Sequence, residues 1–203
     1  MSNFFVGLFS SLLFFCVLLI IEFITRKNNC PKELTRRLAH LLSGLFGILM
    51  GFVLDSWVFI TFAIAFLGII SISYSIKFLT SIHGVKRKTY GELLLPLGVL
   101  SAYLISGATT SFVVAVLILS VSDSLAGIIG DLKLFDKGRW TGSAFFLISA
   151  LLILVFFFYG QQVLLLLAIA FAVTIVERFS KYGTDNLTIP LSTSLLLKVF
   201  LQI

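Results

Sequence analysis

Asp123 is the one charged residue between Ser111 and Gly130, in a run that is otherwise apolar or small. A carboxylate inside a membrane segment costs roughly 3 kcal/mol on insertion scales unless it is paired, so such a residue marks a functional site by default. The flanking residues sharpen the reading. Asp123-Ser124-Leu125-Ala126-Gly127-Ile128-Ile129-Gly130 runs into a polar loop, and Lys137-Gly138-Arg139-Trp140-Thr141-Gly142-Ser143 opens the next apolar segment. An acid, small residues, glycines and a basic loop are the ingredients for holding a metal and a phosphate at a membrane surface. Ser120, Asp123, Gly127 and Gly130 recur at helical spacing, which predicts one shared face. Asp123 on that face suits Mg²⁺, which takes one or two carboxylates plus substrate phosphate oxygens. The competing reading is an Asp paired with a neighbouring Lys or Arg to stabilise the bundle.

Three further clusters carry chemistry. Arg37, His40, Gly44, Gly47 and Gly51 are spaced by threes and fours and share a helical face. The glycines suit close helix packing and the Arg an interface anchor; His40, one turn inside the apolar run, could also contact a substrate hydroxyl or phosphate. Glu177, Lys181, Tyr182, Gly183, Asp185 and Asn186 precede Pro190. Glu177 and Lys181 are spaced for an intrahelical ion pair, and Gly183, Asp185 and Asn186 are turn formers. Yet a second acidic group on the same side is what a metal–nucleotide site needs. Lys86-Arg87-Lys88-Thr89-Tyr90-Gly91-Glu92 is either a topogenic, headgroup-binding patch or a phosphate contact.

The elements that position these residues are membrane spans. Of 203 residues, 59% are hydrophobic and 12% charged, about half the charge of a soluble domain. The chain therefore reads as one integral membrane domain, 1–203, all-α, with no soluble unit beside it. Spans of about 20 apolar residues lie at 4–25, 38–54, 57–79, 91–107, 109–130, 141–158, 161–179 and 189–203, eight in all, or seven if a short one is re-entrant. The first is too long for a signal-peptide core and is expected to be retained. Cys16 and Cys30 imply neither a disulfide framework nor a metal site.

The basic residues sort the loops. Thirteen of the 15 Lys and Arg fall in or beside loops 26–37, 80–90, 131–140 and 179–188, with Lys77 at the same boundary and Lys198 as the exception. The positive-inside rule places those four loops in the cytoplasm and both termini on the other side. Every polar cluster is then on one face, which suits chemistry on a cytoplasmic anion. The net charge of +6 belongs to these loops and points to membrane lipids, not nucleic acid. No P-loop, dinucleotide fingerprint or protein-kinase catalytic loop occurs, and His40 and His83 lack metal-ligand spacing.

Together the clusters resemble the dolichol kinase and phytol kinase family of CTP-dependent polyprenol kinases, over nearly the whole chain. Glu33-Leu34-Thr35-Arg36-Arg37-Leu38-Ala39-His40 resembles the first family motif, and Arg87 to Gly98 (RKTYGELLLPLG) the second. Asp123 to Gly130 resembles the nucleotide-site acid with A-x-x-x-G, and Asp185-Asn186-Leu187-Thr188-Ile189-Pro190, preceded by Glu177, the last. Two positions depart. Gly138 and Arg139 stand where relatives carry Lys-Ser or Lys-Thr, and Asp131 where they carry a basic residue.

The resemblance implies transfer of the γ-phosphoryl group of CTP to the hydroxyl of an isoprenoid alcohol of the dolichol, phytol or geranylgeraniol type. Asp123 with Asp185 would hold Mg²⁺ or Mn²⁺. Lys137, Arg139, Arg87, Lys88, Arg37 and Lys181, with Gly127, Gly130, Gly142 and Asn186, would form the nucleotide and phosphate contacts. Asp185, Glu177 or His40 would accept the hydroxyl proton. The nearest enzyme rival is a CTP-dependent lipid cytidylyltransferase, similar around S-D-x-x-A, but its basic-pair and glycine-histidine signature is not matched. A small transporter would show repeated halves and midplane polar groups, and neither is evident.

Overall fold

The computed structural model describes residues 2–28, 31–76, 89–131 and 138–202. Among these residues every regular element is helical: α1 (Ser2–Asn28), α2 (Lys32–Val53), α3 (Ser56–Ile76), α4 (Gly91–Ser106), α5 (Thr110–Leu117), a π turn (Ile118–Ser122), α6 (Asp123–Asp131), α7 (Gly138–Phe157), α8 (Val163–Phe179) and α9 (Asp185–Leu201). α5, the π turn and α6 are continuous, so the described residues form eight rods. Five of them are long and apolar enough to cross a membrane: α1, α2, α3, the α5–α6 rod and α7. At 16, 17 and 17 residues, α4, α8 and α9 fall short of the length expected of full spans.

Two boundaries differ from the sequence reading by four residues or more. α2 begins at Lys32, not 38, so Arg36 and Arg37 are helical instead of lying in a loop. α9 begins at Asp185, not 189, and Pro190 lies inside it. In both cases the first turn is polar and hydropathy does not see it, but an acid there (Glu33, Asp185) complements the positive end of the helix dipole.

The bundle is apolar outside as well as in. Phe9, Phe156 and Leu164 are 70%, 75% and 77% exposed, a surface that suits lipid rather than water. The centre is the α5–α6 rod. Phe112, Val114, Ala115, Val116, Ile118 and Leu119 are fully buried there, against Phe146, Leu154, Leu166, Ala170, Ile189 and Leu197 of α7, α8 and α9. A smaller satellite cluster, Phe14, Leu18 and Ala39, joins α1 to α2, with Phe14 stacked on Phe46 at 4.3 Å between ring centroids.

Glycines set how close the helices come. A Cβ on Gly44 would collide with Ser120, one on Gly47 would lie 2.9 Å from Val99, and one on Gly51 would lie 2.6 Å from Phe112. The α2 glycine stripe is therefore a packing surface, facing the central rod and α4. The tightest crossing is α4 on α9. Pro190 has no N–H to bond the carbonyl four residues earlier, and that carbonyl, of Asn186, occupies the place where a Gly98 Cβ would be.

The polar helix ends collect at one end of the bundle. Thr25 and Thr35 share a hydrogen bond of 2.9 Å between α1 and α2, and Tyr90 N donates to Tyr182 O at 2.8 Å between the approaches to α4 and α9. At the opposite end Tyr103 donates to Ser56 at 3.0 Å, and Lys198, the exception in the charge pattern, donates to Ile105 O at 3.3 Å. A cation at the carbonyl end of α4 is stabilised there by the helix dipole.

Replacing Gly98 by Ala should destabilise the folded protein by about 1–3 kcal/mol through overpacking. Gly68→Ala, whose Cβ meets nothing within 4 Å, should leave stability unchanged. Thermal unfolding of both variants in detergent checks the pair.

Candidate functional site

Asp123 follows the π turn directly, and its backbone N–H donates to Ile118 O across the widened turn. A π turn inserts one residue into a helix and commonly marks a functional position. Its carbonyls and those just beyond it are bonded by α2. His40 Nε2 lies 3.3 Å from Leu119 O, and Arg37 donates to Ser124 O at 3.3 Å. A carbonyl can only accept, so Nε2 carries the proton and, in the neutral ring, Nδ1 is the acceptor. The Arg37 guanidinium also fills the space beside Gly127 that a Cβ would take. The first and third motifs, about 85 residues apart in the chain, thus meet through side chain and backbone.

The second and fourth motifs meet in the same way. Asn186, buried, donates its side-chain amide to Gly91 O at 2.7 Å. Gly183, at φ 85°, turns the chain into α9, and a Cβ on it would collide with Gly91 N and Thr89. The Asp185 carboxylate accepts from Asn186 N at 2.9 Å. Glycine is required at 183 on both counts, positive φ and crowding.

These two pairings bring the acids together. Asp123 at the start of α6 and Asp185 at the start of α9 both lie within electrostatic reach of Glu177 at the end of α8. Ser143 of α7 donates to the Glu177 carboxylate at 3.2 Å. Asp185, Arg36 and Arg37 in turn lie within electrostatic reach of His40. Carboxylates, imidazole and guanidinium groups from α2, α6, α8 and α9 therefore form one polar neighbourhood at one end of an apolar bundle. Among the described residues no three His, Cys, Asp or Glu side chains are gathered tightly enough to cage a metal by themselves. Mg²⁺ does not need such a cage, because substrate phosphates and water complete its shell.

Other residues picked from the sequence lie elsewhere or serve packing. Gly142 brings α7 against Ala126 O and Gly130 of α6, which accounts for both glycines as a helix contact. Lys181 is exposed beyond the end of α8, so the helical ion pair with Glu177 does not arise. Arg178 instead stacks over Trp140, 4.0 Å from the ring centroid, and ties α8 to α7. Arg87, Lys88 and Lys137 lie outside the described residues, and Arg139 is described only as backbone in the first turn of α7. Helical spacing in the sequence does not point to Ser143, the Leu119 and Ser124 carbonyls, or two neighbouring cavities, the second of which His40 lines.

Those cavities lie between α1, α2, α3 and α4. The first is apolar, with Phe14, Phe46, Phe59, Phe62 and Phe66 in its walls. The second is bordered by Arg36, His40, Glu92 and Asn186, and it shares Ser43, Phe66 and Leu95 with the first.

Comparison with known proteins agrees with the motif resemblance. The chain is similar to a phytol kinase of Synechocystis sp., with 27% identity over 197 residues, covering 89% of this chain and 84% of the relative. That similarity supports the polyprenol and phytol kinase family. No family model and no solved structure matches the chain.

Asn186→Leu should leave Gly91 O buried without its donor and cost about 1–3 kcal/mol. Chemical unfolding of the purified variant in detergent measures this.

Proposed function

We propose that this protein phosphorylates an isoprenoid alcohol to its monophosphate, with CTP as donor, at the cytoplasmic face of the membrane. The observation that carries the reading is the convergence of Asp123, Asp185 and Glu177 with Arg37 and His40 at one end of an apolar bundle. The similarity to a phytol kinase supports it independently, as does the collection of basic loops predicted to face the cytoplasm.

Phosphoryl transfer asks a protein mainly for positioning and charge neutralisation. Asp123 and Asp185 would hold Mg²⁺, which when bound neutralises charge on the transferred phosphoryl group. Arg37, set against the backbone at Ser124 and Gly127, would orient phosphate oxygens. The basic residues Arg87, Lys88, Lys137 and Arg139 would bind the rest of the triphosphate. The alcohol oxygen attacks the γ-phosphorus, the bond from that phosphorus to the β,γ-bridging oxygen breaks, and CDP leaves. The hydroxyl proton passes to His40 Nδ1, the lone-pair nitrogen left by the Nε2 contact with Leu119 O. Glu177, held by Ser143, stands within electrostatic reach of both aspartates.

Detergent-purified protein incubated in turn with each labelled nucleoside triphosphate and with phytol, geranylgeraniol and dolichol should yield CDP and a lipid monophosphate. Pyrophosphate and a CDP-lipid would identify a cytidylyltransferase instead. Asp123→Asn should lower kcat at least about a hundredfold without loss of folding. Near-normal turnover in a folded Asp123→Asn sample would exclude the metal role.

A further inference from the structure

The apolar cavity follows α2 from Ser43 to Leu54, about 16 Å of helix at 1.5 Å per residue. Its walls are aromatic and aliphatic: five Phe side chains, with Met50, Pro96 and Val99. At the Ser43 end it adjoins the second cavity, with Ser43, Phe66 and Leu95 lining both, and there the lining becomes polar. His40 and Asn186 border that end, and the carboxylate oxygens of Glu92, which also lines it, are buried. Asn186 adjoins Asp185 in sequence, and Asp185 is within electrostatic reach of His40. One end of the slot therefore adjoins a polar cavity bordered by Arg36, His40, Glu92 and Asn186, and the rest is apolar apart from Ser11.

We infer that the two adjoining cavities are the binding site of the acceptor alcohol, with its isoprenoid chain between α1, α2, α3 and α4 and its hydroxyl beside His40. This rests on the kinase reading above for the identity of the acceptor, but the placement follows from the cavity itself. An aromatic slot without charge suits a branched hydrocarbon and rejects a nucleotide, which would leave its polar groups unbonded. A polar cavity bordered by His40 and by Asn186, the sequence neighbour of Asp185, brings a chain's head toward the acids only if the hydrocarbon enters the apolar part. The slot is narrow, about 70 Å³, so a long chain needs α1 to give way. α1 is suited to this, because the smaller satellite cluster, and not the main core, packs it against α2. Chain length is then read along α2, by how far the tail reaches from Ser43 toward Leu54.

The test has two arms. A diazirine-bearing C20 isoprenoid alcohol, photolysed with the wild-type protein in the absence of nucleotide, should label peptides containing Phe46, Met50 or Phe66. Ala63→Phe on α3 and Ser11→Phe on α1 narrow the slot from two sides, and each should reduce that labelling. In turnover, each should lower kcat/KM for a C20 alcohol relative to a C10 alcohol by at least about tenfold. Gel filtration and thermal unfolding establish that the variants are folded, and two variants on different helices guard against the loss of either. Labelling of other helices, or unchanged chain-length preference in both folded variants, overturns the assignment while leaving kinase activity intact. Absence of phosphorylation with every alcohol and triphosphate overturns the kinase reading instead, and the labelling arm still decides where an isoprenoid chain binds.

Discussion

In a bundle surrounded by lipid, every backbone carbonyl released from a helix needs a donor from within the protein, because no water reaches it. This chain disturbs its helices at three places near the acidic end, the π turn at Ile118–Ser122, Pro190 inside α9 and Pro96 inside α4. At the first, His40 and Arg37 of α2 meet the carbonyls of Leu119 and Ser124. At the second, the Asn186 carbonyl lies against Gly98 of α4, where the absence of a side chain admits a close backbone approach. The same contacts that satisfy the backbone fix where Asp123 and Asp185 emerge. Structural and chemical demands are met by one set of residues.

The four sequence motifs are thus two pairs in space. α2 is coupled to the central rod, and the entry to α4 is coupled to the entry to α9 through Asn186 and Gly91. Glu177 and Ser143 close the ring from α8 and α7. A bundle built this way can be apolar over nearly all its surface and still concentrate charge at one end. That arrangement suits a reaction between a water-soluble phosphate donor and an acceptor that does not leave the bilayer. The adjoining cavities supply the matching geometry on the lipid side, an apolar slot beside a polar cavity lined by His40 and Asn186.

Much of this was legible in the chain. Hydropathy alone located eight helical segments, since an apolar run long enough to fill a bilayer core has few alternatives to helix. The charge pattern assigned the polar loops to one side, and the structure collects the corresponding helix ends together, with Thr25 against Thr35 and Tyr90 against Tyr182. Asp123 stood out because an acid in such a run is costly. Glycine spacing in α2 read correctly as a packing face. The starts of α2 and α9 were misplaced because their first turns are polar, and a hydropathy boundary falls where polarity changes, not where the helix begins.

The amino-acid order by itself determined that the chain is helical, with several segments long and apolar enough to cross a membrane, an acid in the fifth apolar segment and most basic residues in or beside the longer loops. These follow from the local cost of placing each residue type in hydrocarbon, and need no knowledge of neighbours in space. Only the tertiary structure decided that Gly127 makes room for Arg37, that Asn186 bonds Gly91, that Glu177 lies within electrostatic reach of two aspartates, and that an apolar cavity ending near Leu54 adjoins a polar one at His40. Each of these depends on which helices are adjacent and in what register. That is set by close packing summed over the whole bundle, a quantity no single segment carries.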